Sequence, residues 1–431
     1  MSVAANQQRI LLRLLAGLRP HWRRDRNLPA RIQAQLARNR AFGSRDRRLY
    51  RELIYTTLRY LPWIEPLLDD SPDEAVRRIA HLAADVPATA AFRAALARGE
   101  PPAGDKTELL PAWFRDHCPA IFAPPHLDAL LSRAPLWLRL QTADAASVTD
   151  EFARFGWRVE SSNALPSALR LLDDVDVTKT DAYRSGRVEI QDLGSQLVLE
   201  SARREPAESA SRRSADPSGI APGGHWLDAC AGAGGKTLQL ARLLGPAGEL
   251  DAYDIRPAAL RELAARAARA GLRTCHTLYD KPPTAAAPDN CHIMYDKGAA
   301  TVRLLTQSPT GSYDGVLVDA PCSGSGTWRR APHLKWTTTD ADVTAAATTQ
   351  LELLAGAAQR VRPGGWLIYA TCSLSRRENE DVVAAFLAAH DCFSPEPPVR
   401  SFGAPYRGGG TTFLPALHDT DGFFVAALRR R

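Results

Sequence analysis

The sequence predicts an α/β protein in which a helical N-terminal region precedes a mostly parallel sheet with helices on both faces. Three observations carry this prediction. Apolar residues recur at helical spacing near the N-terminus, short apolar runs alternate with helical segments after residue 224, and polar residues follow the ends of those runs. The 431 residues are enough for two or three domains with cores of their own.

Residues 1–105 are predicted to form a helical domain. Leucine and isoleucine recur at i, i+3 and i+4 over residues 10–18 and again over residues 49–61. Ser44 is the expected N-cap of the second helix, and the turn Pro101-Pro102-Ala103-Gly104 marks the end of the domain.

Residues 106–200 are predicted to form a small α/β domain, because Leu136–Leu140 and Val188–Ile190 have the composition of short strands. Residues 201–224 are rich in serine, arginine, proline and glycine, which predicts a flexible surface loop.

Residues 225–431 alternate between strands and helices, which is typical of a doubly wound sheet with its ligand crevice at the carboxyl edge. The predicted strands are His225–Ala229, Glu249–Tyr253, Cys275–Tyr279, Gly315–Val318, Trp366–Ala370 and Phe423–Leu428. The predicted helices are Lys236–Leu244, Pro257–Ala270, Asp340–Arg360 and Glu378–Ala389.

Positive charge is concentrated at the N-terminus. Residues 1–60 hold 14 arginines, no lysine and three acidic residues, a net charge of +11, whereas the whole chain carries +6. Such a surface suits phosphate backbones, because each neutralised phosphate releases counterions. A solvated helix face is the alternative interpretation. No run of 18 apolar residues is present, so no transmembrane helix is expected.

The seven cysteines have neither disulfide nor CxxC spacing, which predicts free thiols, a reducing compartment and no metal site. Cys322 and Cys372 differ from the others, because each follows an apolar run and precedes small polar residues. A thiol at the carboxyl edge of a sheet is placed for nucleophilic catalysis, and two would allow a covalent step and its reversal.

A glycine-rich turn, Asp228–Thr237, joins a predicted strand to a predicted helix, where backbone N–H groups can approach a ligand. Asp254 ends the next strand, where a carboxylate can hold ribose hydroxyls. Asp280 ends the third strand and is expected to meet an adenine amino group; Asp296, after a further strand-like run, is the alternative.

A phosphate-loop nucleotide hydrolase is a competing interpretation of the same turn. Gly235-Lys236-Thr237 matches the end of GxxxxGK[ST], but Cys230 stands where the first glycine of that pattern belongs.

These motifs resemble the Nol1/Nop2/Sun family of RNA cytosine-5 methyltransferases over roughly residues 110–431. The motifs that carry the resemblance are Ala229–Thr237, Asp319–Gly326, Tyr369–Leu374, Glu378-Asn379-Glu380, Pro135–Arg139, Val188–Asp192 and Asp421–Phe424. The helical N-terminus around Gly43–Leu49 is similar to the NusB-like RNA-binding domain of the bacterial 16S rRNA branch of this family.

The resemblance implies a class I, Rossmann-like methyltransferase domain after a NusB-like domain and a small RRM-like domain. It implies S-adenosylmethionine as cofactor, held by Cys230, Ala231, Gly232, Ala233, Gly234, Gly235, Lys236, Asp254, Asp280 and Asp319. Cys372 would be the nucleophile and Cys322 would serve product release. Asp319 and Lys236 would face the cytosine.

The resulting hypothesis is methylation of cytosine C5 in RNA, in particular small-subunit rRNA, by a cytoplasmic monomer without metal or membrane association. A DNA cytosine-5 methyltransferase that uses Cys322, and a non-catalytic RNA-binding or ribosome-assembly protein, are the alternatives. The segment Trp328–Trp336, with interleaved tryptophans and basic residues, is expected either to grip RNA or to pack against the core.

Overall fold

The computed structural model describes residues 2–204, 219–272, 274–277 and 298–431. These residues form two compact units. The first consists of Met1–Ala134 and Gly324–Val343, and the second of Pro135–Ser323 and Thr344–Arg431. Most of the loop predicted at 201–224 lies outside the described residues. The domain limits given above stay a prediction.

The first unit is helical, as the spacing of its apolar residues predicts. Its helices are α1 Val3–Leu18, α2 Leu28–Arg38, α3 Ser44–Arg59, α4 Leu61–Ile64, α5 Leu67–Asp70, α6 Pro72–Leu82, α7 Ala90–Leu96, α8 His126–Leu131 and α14 Leu334–Thr337. Leucines of α1 and α3, among them Leu11 and Leu53, are fully buried in its core. Ser44 is the first residue of α3 rather than its cap. Asp46 stabilises this end of the helix, because its carboxylate accepts the N–H of Gly43 at 3.0 Å.

The segment Trp328–Trp336 packs into the first unit. Trp328 is 1% exposed and Lys335 is 2% exposed, so the packing alternative holds for both side chains. The Lys335 Nζ donates to the carbonyl oxygens of Arg59 and Leu109 at 2.7 and 3.0 Å. The Trp336 Nε1 donates to the carbonyl of Leu58 at 2.6 Å. Two of these carbonyls, those of Leu58 and Arg59, belong to the last turn of α3, where carbonyls have no partner within the helix.

The second unit contains a small antiparallel sheet with the strand order β2-β3-β1-β4. Its strands are β1 Leu136–Leu140, β2 Val159–Ser161, β3 Ala168–Leu171 and β4 Val188–Ile190. The helices of this part are α9 Ala145–Arg154, α10 Asp181–Arg184 and α11 Leu193–Ser201. Both short strands predicted from the sequence are confirmed.

The large sheet of the second unit has the order β12-β13-β14-β10-β9-β5-β6-β8-β7, with β11 paired to β14. Its strands are β5 Gly224–Asp228, β6 Gly248–Tyr253, β7 Thr274–Thr277, β8 Thr301–Leu305, β9 Tyr313–Asp319, β10 Val361–Thr371, β11 Phe393–Glu396, β12 Tyr406–Arg407, β13 Gly410–Phe413 and β14 Phe423–Arg430. The flanking helices are α12 Gly235–Leu244, α13 Pro257–Arg269, α15 Asp340–Ala358 and α16 Glu380–Ala389.

The strands from β10 to β7 along this order are parallel, and β14 is antiparallel to β10. The predicted doubly wound α/β fold is confirmed. Since β6 and β9 lie on opposite sides of β5, the chain changes direction across the sheet at β5. Ligands of such sheets bind at this point, outside the carboxyl ends of the strands.

One strand of the sheet, β8, is not among the strands predicted from the sequence. The strand beside β6 is β8, with Tyr253 opposite Leu305, whereas the predicted third strand, seen here as β7, pairs with the far side of β8. Arg303 lies within β8 and donates to Asp251 of β6 at 2.6 Å. Because its charge is neutralised by a neighbouring strand, Arg303 is compatible with the sheet although it interrupts the apolar pattern of the sequence.

Among the described residues, no helix has the length and apolar character needed to cross a membrane.

Lys335→Met tests how the first unit is held together. The variant keeps the apolar stem but leaves two buried carbonyls without donors, each costing about 1–3 kcal/mol. We expect the free energy of unfolding to fall by about 2–5 kcal/mol in urea titrations. Lys106→Met is the matched control, because this side chain is 54% exposed and forms a surface ion pair with Asp128. Equal unfolding energies for the two variants would contradict the assigned role of Lys335.

Candidate functional site

The glycine-rich turn joins β5 to α12, as the sequence predicts. Gly234 has a φ of +91°, and a Cβ at this position would lie 2.7 Å from the side chain of Leu263. Both constraints require glycine. The turn therefore keeps the N-terminus of α12 close to the carboxyl edge of the sheet.

Asp228 anchors the start of this turn. Its carboxylate is 1% exposed and accepts the hydroxyl of Thr237 at 2.7 Å and the N–H of Cys230 at 3.3 Å. Burial, with a smaller contribution from the nearby Asp319, raises the pKa of Asp228 to about 7, although the hydrogen bond from Thr237 lowers it. The pKa of the Cys230 thiol rises to about 12, because of its burial and the neighbouring carboxylates. Cys230 is thus a neutral thiol at physiological pH, not a nucleophile.

Asp254 follows β6 and faces the turn. It accepts the backbone N–H groups of Gly232 and Arg256, each at 2.8 Å. Burial alone would raise the pKa of Asp254, but the hydrogen bonds from Arg256 and Gly232 hold it below its ordinary value. Asp254 is therefore an ionised acceptor. The Arg256 side chain also donates to it but is 69% exposed, so a ligand hydroxyl can replace these bonds.

A cavity of about 790 Å³ opens between the glycine-rich turn and the ends of β6 and β9. Eight of the predicted cofactor-binding residues line it: Cys230, Ala231, Gly232, Ala233, Gly235, Lys236, Asp254 and Asp319. Gly234 is not part of the lining. A Cβ at Gly232 or Gly235 would meet no heavy atom closer than 3.8 and 3.9 Å, so there is open space beside both glycines. The turn thus provides a cradle that side chains would fill.

The predicted adenine ligand Asp280 and its alternative Asp296 lie outside the described residues. The strand beside β6 is β8, and not the third strand predicted from the sequence. The residues that follow β8 therefore lie next to the end of β6. Among these, Ser308 lines the cavity, and its hydroxyl lies 3.4 Å from the phenolic oxygen of Tyr253. Ile255, 83% exposed, lines the same region. The sequence analysis assigned neither residue to the site.

Lys236 and Asp319 form an ion pair in the wall of the cavity. The Lys236 Nζ lies 2.9 Å from an Asp319 carboxylate oxygen and 5.2 Å from the centre of the Phe423 ring. Lys236 is buried, whereas about a third of the Asp319 side chain is exposed. The pair fixes the direction of the Asp319 carboxylate, because a buried ammonium needs a charged partner.

The two cysteines singled out by the sequence lie side by side. Asp319 of β9 is opposite Ala370 of β10, so the residues after these strands meet at one edge. The sulfur atoms of Cys322 and Cys372 are 3.3 Å apart, within hydrogen-bond distance for thiols, and both side chains are half-buried. Pro321, the neighbour of Cys322, lines the cavity. A proton can therefore pass directly between the two sulfurs.

A buried carboxylate, Glu378, connects the two cysteine loops. It accepts the N–H of Ser323 at 2.7 Å and the hydroxyls of Ser323 and Ser373, each at 2.5 Å. Gln350 donates to the same carboxylate at 3.1 Å and to the carbonyl of Pro321 at 2.9 Å. Each cysteine thus precedes a serine that is bound to one common acceptor.

Asn379 supports the second loop. Its side chain donates to the carbonyl of Ser373 at 2.9 Å and accepts the hydroxyl of Thr371 at 2.6 Å. The sequence analysis gave Glu378 and Asn379 no role in the site. The sequence signal that could have identified them is their position shortly after the Cys372 motif. Only the fold shows that Glu378 also binds the Cys322 loop.

Among the residues that the structure describes, no group of three or more histidine, cysteine, aspartate or glutamate side chains is arranged to hold a metal ion.

The comparison with known families matches residues 220–429 to the family described as 16S rRNA methyltransferase RsmB/F. Ribosomal RNA small subunit methyltransferase B of Xylella fastidiosa (strain 9a5c) is 31% identical over 323 residues, which are 74% of this chain and 68% of that protein. The probable ribosomal RNA small subunit methyltransferase B of Bacillus subtilis is 31% identical over 297 residues, 67% of this chain. The match spans only 58% of the Bacillus protein.

Solved structures agree with the fold. PH0851 has a TM-score of 0.69 at 20% identity, with all of both chains covered. NSun6 from Pyrococcus horikoshii, solved with SFG, has a TM-score of 0.58 at 18% identity, covering 76% of this chain and 98% of that one. At these identities the likeness concerns the fold alone, which is that of Rossmann-like methyltransferases. The 31% identity to the Xylella methyltransferase, over 68% of that protein, shows that the chain belongs to the RsmB/F family of 16S rRNA methyltransferases.

Proposed function

We propose that this protein methylates C5 of a cytosine in small-subunit rRNA, with S-adenosylmethionine as cofactor and Cys372 as nucleophile. The observation that carries the proposal is the 3.3 Å approach of the Cys322 and Cys372 sulfurs beside a cavity that Asp254 and the glycine-rich turn line. Family membership supports the reaction and the RNA substrate. Since free thiols suit a reducing compartment, we place the protein in the cytoplasm.

The cavity residues fit the cofactor. We assign the ribose hydroxyls to Asp254, which is an ionised acceptor whose exposed partner Arg256 can be displaced. The methionine end is assigned to the cradle at Gly232 and Gly235. Ile255 offers an apolar surface to the adenine. The bound cofactor would supply an electrophilic methyl group on its sulfonium.

The chemistry of cytosine explains why a thiol is needed. C5 is a weak nucleophile until a thiolate adds to C6, which gives C5 the character of an enamine carbon. We assign this addition to Cys372. After C5 has gained its methyl group, a base removes the C5 proton and the Cys372 sulfur leaves C6. Covalent catalysis of this kind divides one difficult step into two easier ones.

Cys322 is placed to assist release. Its sulfur lies 3.3 Å from the Cys372 sulfur, so it can exchange a proton with Cys372 as that sulfur bonds to C6 or leaves it. Asp319, whose direction Lys236 fixes, faces the cavity and is assigned to the cytosine ring. The target base must first leave its stack, at a cost of a few kcal/mol.

Two cysteine variants test this proposal. Cys372→Ala should lower transfer of labelled methyl groups to small-subunit rRNA by about 10³-fold or more, because it removes the nucleophile. Cys322→Ala should accumulate a protein–RNA adduct that survives denaturing electrophoresis, because addition proceeds while release is blocked. Cys392→Ala, which removes a half-buried thiol directly before β11, is the control and should retain activity.

The opposite pattern would contradict the assignment. An adduct formed by Cys372→Ala would make Cys322 the nucleophile, as in DNA cytosine-5 methyltransferases. Methylation of RNA by the variant that lacks both thiols would show that the reaction needs no covalent step.

Glu378→Gln tests whether the shared carboxylate positions the cysteines. Glutamine has the same shape but cannot accept from both serines and from Gln350 at once. Since small misplacements of reacting groups cost about 10²-fold in rate, we expect single-turnover methyl transfer to fall by about that factor. The dissociation constant of S-adenosylhomocysteine should stay unchanged, because Glu378 is not part of the cofactor cavity.

Glu352→Gln is the matched control for this experiment, because Glu352 is exposed on α15. Ser373→Ala removes one donor to the carboxylate and should give a smaller loss of rate. If cofactor binding declined in Glu378→Gln as much as the rate, Glu378 would support the whole domain rather than the cysteines.

A further inference from the structure

A pocket lined by arginines lies in the first unit, built from α3 and from residues near positions 133 and 329. It has a volume of about 390 Å³, and its charged lining consists of Arg51, Glu52, Arg59, Arg133, Arg329 and Arg330. We call this the arginine pocket. Five guanidinium groups surround one carboxylate, so its formal charge is +4. None of these residues belongs to the methyl-transfer site described above.

Hydrogen bonds fix the arginine pocket in place. The Arg133 Nε donates to Glu52 at 3.2 Å. Arg329 donates to the hydroxyl of Ser132 at 2.6 Å and to the carbonyl of Arg133 at 3.0 Å. Arg59 donates to the carbonyl of Arg329 at 3.3 Å. Hydrogen bonds within the unit thus hold three of the five guanidinium groups, those of Arg59, Arg133 and Arg329.

With Arg329, Arg59 is the most buried of these groups. It is 4% exposed, and its Nε is buried with no hydrogen-bond partner among the described residues. Burial lowers the pKa of Arg59; Glu52 and Tyr60 act against this, and the charges of Arg329 and Arg133 lower it further. A buried cation beside other cations is unfavourable unless an anion neutralises it.

The mouth of the arginine pocket is open to a large ligand. Arg51 and Arg330 are exposed, and about a third of the Arg133 side chain is exposed. Tyr55, half-buried, adds an aromatic wall. The cationic lining consists of arginine without lysine, and the planar guanidinium group binds two phosphate oxygens at once.

We propose that the arginine pocket binds the sugar–phosphate backbone of the substrate RNA. The proposal deepens the function given above and rests on its RNA substrate. It also assigns a role to part of the positive charge of residues 1–60, because Arg51 and Arg59 belong to that stretch. Phosphate contacts of this type determine the register and orientation of the protein on a nucleic acid without reading its sequence.

The double variant Arg51→Ala/Arg330→Ala tests the proposal, because both side chains are exposed and their removal leaves the buried network intact. Fluorescence anisotropy with a labelled fragment of small-subunit rRNA is measured over a series of KCl concentrations. We expect binding about 10-fold weaker or more at moderate salt. The slope of log K against log [KCl] should decrease in magnitude by about 1–2, as expected for the loss of one or two phosphate contacts.

Arg38→Ala/Arg40→Ala is the matched control. It removes the same charge from exposed positions of the first unit that do not line the pocket. We expect its affinity to change by less than about 3-fold. A second variant, Arg59→Lys, keeps the charge but not the planar group and should also weaken binding, with retained helical content checked by circular dichroism.

Three results would overturn the inference or its basis. Equal losses in the two double variants would show a general charge effect without a pocket. Wild-type affinity in Arg51→Ala/Arg330→Ala would exclude phosphate binding at this place. If the wild-type protein bound S-adenosylhomocysteine but no rRNA fragment, the proposed RNA substrate would be wrong. This result differs from the one that would exclude the arginine pocket alone.

Discussion

The shared hydrogen bonds of the Glu378 carboxylate are the interaction on which the rest of the site depends. Cys322 and Cys372 follow different strands, and nothing local in either loop determines how closely their sulfurs approach. Because Ser323 and Ser373 bind the same buried carboxylate, the two loops cannot move independently. A buried carboxylate with all its partners in place is rigid, and it is costly to disturb, since any lost donor leaves charge without compensation.

The parallel sheet supplies the second constraint. Parallel strands end at one edge, so residues far apart in the sequence meet there without long connections. Asp228 is the last residue of β5, Asp254 directly follows β6, and Asp319 is the last residue of β9. Their surroundings give them different roles: burial raises the pKa of Asp228 to about 7, while hydrogen bonds from Arg256 and Gly232 hold the pKa of Asp254 below its ordinary value. Similar side chains at one edge can thus anchor a turn or accept hydrogen bonds from a ligand.

The sequence predicted most of the fold because helical and strand periodicities are strong outside the charged segments. It failed at β8, where Arg303 interrupts a short apolar run and is neutralised by Asp251 and Glu249 of another strand. The cavity residues near the glycine-rich turn followed from local motifs. Glu378 could not be assigned a role, since its partner Ser323 is 55 positions away in the sequence. The same limit applies to Lys335 and Arg330. Both lie in one basic segment of the sequence, but Lys335 is buried and Arg330 is exposed.

The most direct test of the central claim is to identify the atom that bonds to the RNA. Small-subunit rRNA transcribed with 5-fluorocytidine, incubated with the wild-type protein and S-adenosylmethionine, should trap the adduct, because fluorine at C5 cannot leave as a proton does. Digestion and mass spectrometry should then locate the nucleotide on Cys372. A nucleotide on Cys322, or a methylated product with no trapped protein, would contradict the account.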